Sequence, residues 1–221
     1  MMIGCLARFD DLDLTYLFHI HTNHTDGSSS VRDYFEMAKS YGIKKLIFLE
    51  HIRKYPKFDV YQFVDEIRRC SELFEIEGVV GFETKILPGG QLDIRDEHIS
   101  IAQFIGVAEH SFLLDEQHLV DAFREILHKY PSEWGEKTFV WVHPGLWFQR
   151  RGILGSKAYE DMLMVALQSG IMLECNVRYS LPKCLGDNWP LERVIVGLDA
   201  HSVEDLRKIL DGERFKGVYE G

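Results

Sequence analysis

Seven short apolar runs alternate with longer amphipathic ones along 221 residues, and this alternation limits the fold more than any other feature of the chain. The short runs cover 16–20, 45–49, 79–82, 104–108, 138–142, 171–173 and 194–198. They are rich in Val, Ile and Phe and bounded by glycine or charge, as expected of strands covered on both faces in a parallel sheet. The intervening runs have helical spacing. After Ser30, apolar residues fall at Val31, Tyr34, Phe35 and Ala38, and Gly42 follows where a left-handed C-cap would sit. Residues 60–76 place Phe63, Ile67, Cys70 and Phe74 on one stripe, and 119–127, 159–167 and 203–210 behave likewise. The alternation predicts an α/β chain whose parallel sheet is closed, or nearly closed, into a barrel, with an open doubly wound sheet as the alternative. No repeat, low-complexity stretch or Pro/Gly/Ser linker interrupts the pattern, so a single domain is expected over 1–221.

In a parallel barrel the C-terminal ends of the strands open on one mouth, where active sites are built. Each predicted strand delivers His, Asp or Glu there. The first runs into His19, His21 and Asp26, the second into Glu50 and His51, and the third into Glu83. The fourth runs into His110, the fifth into His143, the sixth into Glu174, and the seventh into Asp199 and His201. Six of the ten histidines therefore collect at one place. His-x-His within a strand turns both imidazoles to one face because side chains alternate with period two, and Asp199-x-His201 repeats the device. One such pair is weak evidence for a metal, since a lone strand-end histidine is more often simply hydrogen-bonded. Seven successive strands ending this way point to a site for divalent ions. Imidazole and carboxylate ligands suit Zn, Mn or Fe. The cysteines Cys5, Cys70, Cys175 and Cys184 form no Cys-x-x-Cys pair, and all four are expected to be reduced thiols of a cytoplasmic protein. No run approaches the ~20 apolar residues of a membrane span.

The segment His19-Ile-His-Thr-Asn-His-Thr-Asp-Gly27 resembles the HxHTxxSDG motif that opens the PHP (polymerase and histidinol phosphatase) superfamily. Leu49-Glu50-His51 is similar to that family's second motif, usually Thr-Asp-His, and Gly81-Phe82-Glu83 to its Gly-x-Glu. His110, the pair His143-Pro144, and Gly197-Leu-Asp-Ala-His201 resemble the remaining three, all in family order. The resemblance implies a distorted (βα)7 TIM-like barrel around three divalent metal ions. Carried over motif by motif, His19, His21, Glu83 and Asp199 would hold the first ion. Glu83 would bridge to a second, held also by His110 and His143, and Asp26, His51 and His201 would hold the third. Glu83, His143 and Asp199 are the ligands this implies at the reacting centre. Two departures stand out: Glu50 replaces the usual Asp beside His51, and Thr25 replaces Ser. His24 is a rival to Asp26, which the motif spacing favours. Glu174 reads as a support for a ligand, whereas His98, His118 and His128 read as surface residues.

The implied activity is metal-dependent hydrolysis of a phosphoester by a hydroxide bridging two ions, with the third neutralising phosphate oxygens. A small-molecule phosphatase is the leading expectation. A nuclease or phosphodiesterase on short oligonucleotides is one alternative, and a non-catalytic metal or phosphoryl-ligand binding protein is another. Arg53, Arg150, Arg151 and Arg178 follow strand ends and are the candidate phosphate donors, because guanidinium grips phosphate bidentately. Tyr55, Trp147 and Phe148 read as loop packing, with stacking on a base or ring as the alternative. With 35 Asp and Glu against 25 Lys and Arg, the net charge of -10 leaves no general basic face for a long nucleic acid. A small phosphorylated substrate is the expected partner.

Overall fold

Strand and helix alternate as the apolar pattern demands in the computed structural model, which describes residues 15–133, 135–183 and 189–211. The first half runs β1 (Tyr16–Ile20), α1 (Val31–Tyr41), β2 (Lys45–Phe48), β3 (Glu50–His51), α2 (Val60–Phe74), β4 (Glu77–Val79) and β5 (Gly81–Leu87). Then come β6 (Gln91–Leu92), α3 (Asp96–Ile101), β7 (Phe104–Ala108), α4 (Glu116–Glu133) and β8 (Thr138–Trp141). The chain continues through α5 (Leu146–Arg150), α6 (Lys157–Ser169), β9 (Met172–Asn176), β10 (Val194–Gly197) and α7 (Val203–Leu210).

Two of the predicted strands are interrupted. β3 continues β2 past Leu49, and β5 continues β4 past Val80, so the parallel strands occupy seven positions. β1, β2 and β4 pair in one sheet, and β3, β5, β7, β8, β9 and β10 pair in the other. The continuous chain through β2–β3 and β4–β5 joins them. At the far side the last strand returns to the first. Leu198 N–H donates to Phe18 O (3.0 Å), Ala200 N–H to His19 O (3.0 Å) and His21 N–H to Ala200 O (2.9 Å). The parallel sheet is thus curled round on itself in the TIM-like manner, and the open doubly wound alternative falls.

Period-two alternation then sorts the side chains. Phe18, Ile47, Leu49, Val79, Val140 and Val142 share one buried cluster inside the curl. Their sequence neighbours Leu17, Leu46, Phe48, Phe139 and Trp141 join the larger cluster beneath the helices. The helices begin where the caps say they should. Ser30 and Asp33 form a reciprocal capping box at α1, Asp59 accepts from Tyr61 and Gln62 N–H at α2, and Ser202 accepts from Asp205 N–H at α7.

Some expectations change. Helices α3 and α5 and the antiparallel β5–β6 hairpin are too short to leave a readable period in the sequence. Helix α3 carries His98 inward, so it is buried against the edge of Phe82 rather than on the surface, whereas His118 and His128 are exposed. Cys70 is a free, buried thiol, but Cys175 is disulfide-bonded, so the four cysteines are not all reduced; Cys5 and Cys184 lie outside the described residues. Spacing along the chain does not report distance in space, and the absence of Cys-x-x-Cys was the wrong guide. Among the described residues no helix is long and apolar enough to cross a membrane.

Gly81 shows how tightly the strands are set. A Cβ there would lie 2.6 Å from the Phe48 carbonyl oxygen and 3.0 Å from that of Phe104. Both are backbone atoms of neighbouring strand segments and cannot swing aside. Gly81→Ala is expected to destabilise the protein by about 2 kcal/mol, read as a lower urea midpoint; a wild-type midpoint would contradict this packing.

Candidate metal centre

The backbone is bent where the candidate ligands sit. Pairing of β1 with β2 slips between Phe18 and Ile20, and His19 at that bulge has φ 70°. The bulge breaks the alternation, so Phe18 belongs to the interior cluster while Ile20 belongs to the outer one. His19 and His21 still meet on one side, as the spacing predicts, but through a re-phased strand. His143 (φ 33°) and Asp199 (φ 50°), just past β8 and β10, are also left-handed. Non-glycine residues seldom adopt this backbone, and such residues cluster at functional sites.

Glu83, 2% exposed on β5, is the hub. Its Oε2 lies 3.1 Å from His19 Nε2 and 3.5 Å from His21 Nε2. Asp199 Oδ1 faces the same two nitrogens at 3.9 and 3.5 Å. The other oxygen, Glu83 Oε1, turns to His143 Nε2 (3.4 Å), His51 Nδ1 (3.6 Å) and His110 Nδ1 (3.8 Å). A third group lies beside these, with Asp26 Oδ2 at 3.3 Å from His51 Nε2 and 3.6 Å from His201 Nε2. The nine residues implied by the motifs therefore converge. His21 also approaches the third group, forming a compact trio with His51 and His201. His24 does not join them: its Nε2 is 2.7 Å from Glu66 Oε2.

Other acids hold these groups in place. Glu174, fully buried on β9, accepts from His19 Nδ1–H (2.5 Å), from the His143 backbone N–H and from Asn176 Nδ2 (3.0 Å). It packs on Gly197, where any Cβ would overlap its carboxylate. Fixing Nδ1–H in this way leaves His19 Nε2 free to bind an ion. Glu50 accepts from the Thr22 N–H (2.8 Å) and from the hydroxyls of Thr22 and Thr25, so its extra methylene reaches the turn before Asp26 rather than His51. Glu109, a fully buried residue that strand-end counting passes over, accepts from Trp141 Nε1 (2.9 Å) and Gly145 N–H (2.9 Å) and pins the turn after His143. Its adjacency to His110 was the only sequence signal.

The charges explain what the cluster wants. Burial opposes a charge on His19, yet Glu174 and Asp199 outweigh it and lift the imidazole well above its ordinary pKa. Burial is likewise overcome at His21, where hydrogen bonds to Asp199 and Glu83 raise the pKa to about 9. His143 is raised too, its burial outweighed by Glu83. Glu83 and Asp199 stay ionised below the usual carboxylate range, the surrounding imidazoles overriding burial, and hydrogen bonds from His201 and His51 hold Asp26 low. His110 is pushed down to about 3 by burial and by His143. Protons thus stand where cations would. His21, His51, His110 and His143 each bury an Nδ1 without a hydrogen-bond partner, which native structures seldom tolerate. A carboxylate–imidazole donor set with these features fits divalent ions.

A cavity of about 190 Å³ opens over the cluster, lined in part by Arg150, Tyr179 and Leu146. Of the four candidate arginines, Arg150 lines it. Arg178 Nη1 donates to the Asp199 carbonyl (3.0 Å) and touches His201 Nδ1, which ties it to the loop rather than frees it for a ligand. The Arg151 guanidinium lies 3.7 Å from the centre of the Trp147 ring, and Arg53 lines a neighbouring groove. Trp147 and Phe148 are buried packing residues, whereas Tyr55 is 82% exposed.

The model of the PHP domain matches residues 18–175. In fold the chain is similar to the histidinol phosphate phosphatase of Lactococcus lactis subsp. lactis Il1403, solved with zinc, L-histidinol and phosphate. The TM-score is 0.59 at 14% identity, covering 91% of each chain. It is similar also to a protein of Listeria monocytogenes assigned as a histidinol phosphatase, with TM-score 0.58 and 13% identity over 86% of this chain and 97% of that one. No curated protein sequence matches the chain.

Because neighbouring carboxylates raise the pKa of His19 and His143, and that of His21 to about 9, an ion must displace protons from this cluster. Zinc binding at pH 7.5 is expected to release about two protons or more per chain, measured by calorimetry in buffers of different ionisation enthalpy. Affinity should rise with pH until His21 titrates near 9, and pH-independent binding would refute this charge balance. Glu174→Gln is expected to weaken zinc binding by about 10- to 100-fold while leaving the fold intact by circular dichroism.

Proposed function

The chain belongs to the PHP-domain family of metal-dependent phosphoesterases, and from that premise we propose that it hydrolyses small phosphomonoesters at the Glu83 centre. The observation that carries the reading is the split of the Glu83 carboxylate, one oxygen toward His19 and His21 and the other toward His51, His110 and His143. That is the geometry a carboxylate needs to serve two cations. His19, His21, Glu83 and Asp199 would hold one ion, Glu83, His110 and His143 a second, and Asp26, His51 and His201 a third. Divalent ions of the Zn, Mn or Fe type, when bound, supply a water acidified toward neutrality and positive charge for the phosphate oxygens.

The protein's own contribution is to orient these groups. Glu174 fixes the tautomer of His19 and the backbone of His143. Glu50 holds the Thr22–Thr25 turn that presents Asp26, and Glu109 holds the turn that leads into α5 and Arg150. Arg150 reaches the same cavity and offers a planar pair of N–H donors to a phosphoryl oxygen. The walls are mostly His, Asp and Glu, so a phosphoryl group meets ligands and a guanidinium rather than apolar surface. A cavity of about 190 Å³ suits one phosphoryl group better than a run of nucleotides, and the excess of 35 acids over 25 bases argues the same way. That the Lactococcus lactis relative of this fold was solved with zinc, L-histidinol and phosphate supports a small phosphorylated substrate.

Protein loaded separately with Zn, Mn or Fe is expected to release phosphate from phenyl phosphate and to lose that activity on chelation. His143→Ala should lower kcat by about 100-fold or more, and Arg150→Ala should lower kcat/KM by about 10- to 100-fold. Metal-loaded protein without turnover on a broad phosphoester panel would favour a binding protein instead. Full activity in the His143→Ala variant would remove this centre from the reaction.

A further inference from the structure

Beside the centre lies a second cavity of about 340 Å³, and His51 forms a wall of both. At ~30 Å³ per water it holds about ten water molecules, the bulk of a substituted six-membered ring. Its lining combines flat apolar surface with positive charge. Tyr55 and Phe58 supply the rings, and Arg53 and Lys57 supply the charge. Among the described residues no Asp or Glu lines it. The acids that touch its lining residues are themselves engaged: Glu66 lies 2.7 Å from His24, Glu50 accepts from the Thr25 hydroxyl, and Asp26 lies 3.3 Å from His51. Arg53 is only partly neutralised, with Nε 3.6 Å from Asp93 Oδ2 and Nη1 donating to the Ile52 carbonyl. Lys57 is exposed and forms no ion pair among the described residues. A third cation, Arg95, sits 5.4 Å from the centre of the Tyr55 ring.

This local charge runs against the rest of the molecule. The chain carries a net -10, yet residues 53–57 read Arg-Lys-Tyr-Pro-Lys, three cations and no acid. The smaller cavity over the ligands has room for a phosphoryl group, so the remainder of an ester must extend past it, and the groove beyond His51 is adjoining space of suitable size.

Resting on the phosphoesterase reading, we propose that this groove binds the leaving group of the substrate, and that this group carries a negative charge on or beside a flat ring. Arg53 and Lys57 are then specificity-determining residues that grip a carboxylate or a second phosphate, with Tyr55 and Phe58 against the ring. A cationic amino alcohol such as the L-histidinol bound by the Lactococcus lactis relative would meet two like charges here.

Three esters of nearly equal shape test this: 4-carboxyphenyl, phenyl and 4-(aminomethyl)phenyl phosphate. Metal-loaded wild type is expected to favour the carboxylate over the unsubstituted ester by about five- to tenfold in kcat/KM, with the amine poorest. Lys57→Glu should invert the order of the charged pair, and Arg53→Gln should flatten it. Equal rates for all three esters, or a preference unchanged in both variants, would overturn the proposal while leaving phosphoester hydrolysis standing. Loss of all turnover would count against hydrolysis itself, and the groove would then be decided by calorimetry with 4-hydroxybenzoate and 4-hydroxybenzylamine. Tighter binding of the anion, weakened by Lys57→Glu, supports the assignment; equal or reversed affinity refutes it.

Discussion

A single buried carboxylate organises this molecule's chemistry. Glu83 sits in the wall of the curled sheet with both oxygens surrounded by imidazole nitrogens, 3.1 to 3.8 Å away. An ionised acid at such depth is costly unless its charge is matched, so five histidines from four other strand ends must approach it. In the absence of cations the match is made by protons, which is why His19, His21 and His143 are lifted and Glu83 is lowered. Metal ions would replace those protons in an arrangement the protein already enforces.

That arrangement carries strain and is held against it by hydrogen bonds and a layer of acids. His19, His143 and Asp199 each leave their strands in a left-handed backbone, a conformation that costs of order 1–3 kcal/mol per residue and persists only when surroundings over-determine it. The hydrogen bonds of the seam between β1 and the segment after β10 over-determine two of them, and the Glu174 hydrogen bond to His143 N–H steadies the third. Glu174 needs Gly197 beneath it, so the glycine of the last motif serves packing as much as backbone freedom. Glu50 and Glu109 perform the same service for the turns carrying Asp26 and Arg150.

How much of this was legible beforehand varies with range along the chain. Long apolar periods gave the strand positions β1 and β7 to the residue, while breaks at Leu49 and Val80 split two strands that read as continuous. Helix α3 left no period, and His98 was misplaced on the surface for that reason. The ligand types at strand ends were visible because each follows its own strand directly. Glu109 was not, since its partners Trp141 and Gly145 are 32 and 36 residues away and chain order gives no hint of the meeting. Proximity to strand ends selects all four arginines alike and does not tell the cavity-lining Arg150 from Arg151 stacked on Trp147 or Arg178 tied to the Asp199 carbonyl.

What the sequence by itself determined is the set of parts: a parallel α/β sheet of seven strand positions, with His, Asp or Glu at the end of each. Those follow from local periodicity and composition, which act within a few residues. Only the tertiary structure decided how the parts meet. Closure of the sheet brings residues 19 and 199 together, the bulge at His19 re-phases the first strand, and Glu83 divides its oxygens between two sets of imidazoles. It also set a basic groove against an acidic chain at residues 53–57. Distances across a curled sheet depend on twist, register and bulges summed over every strand, and no local pattern contains that sum.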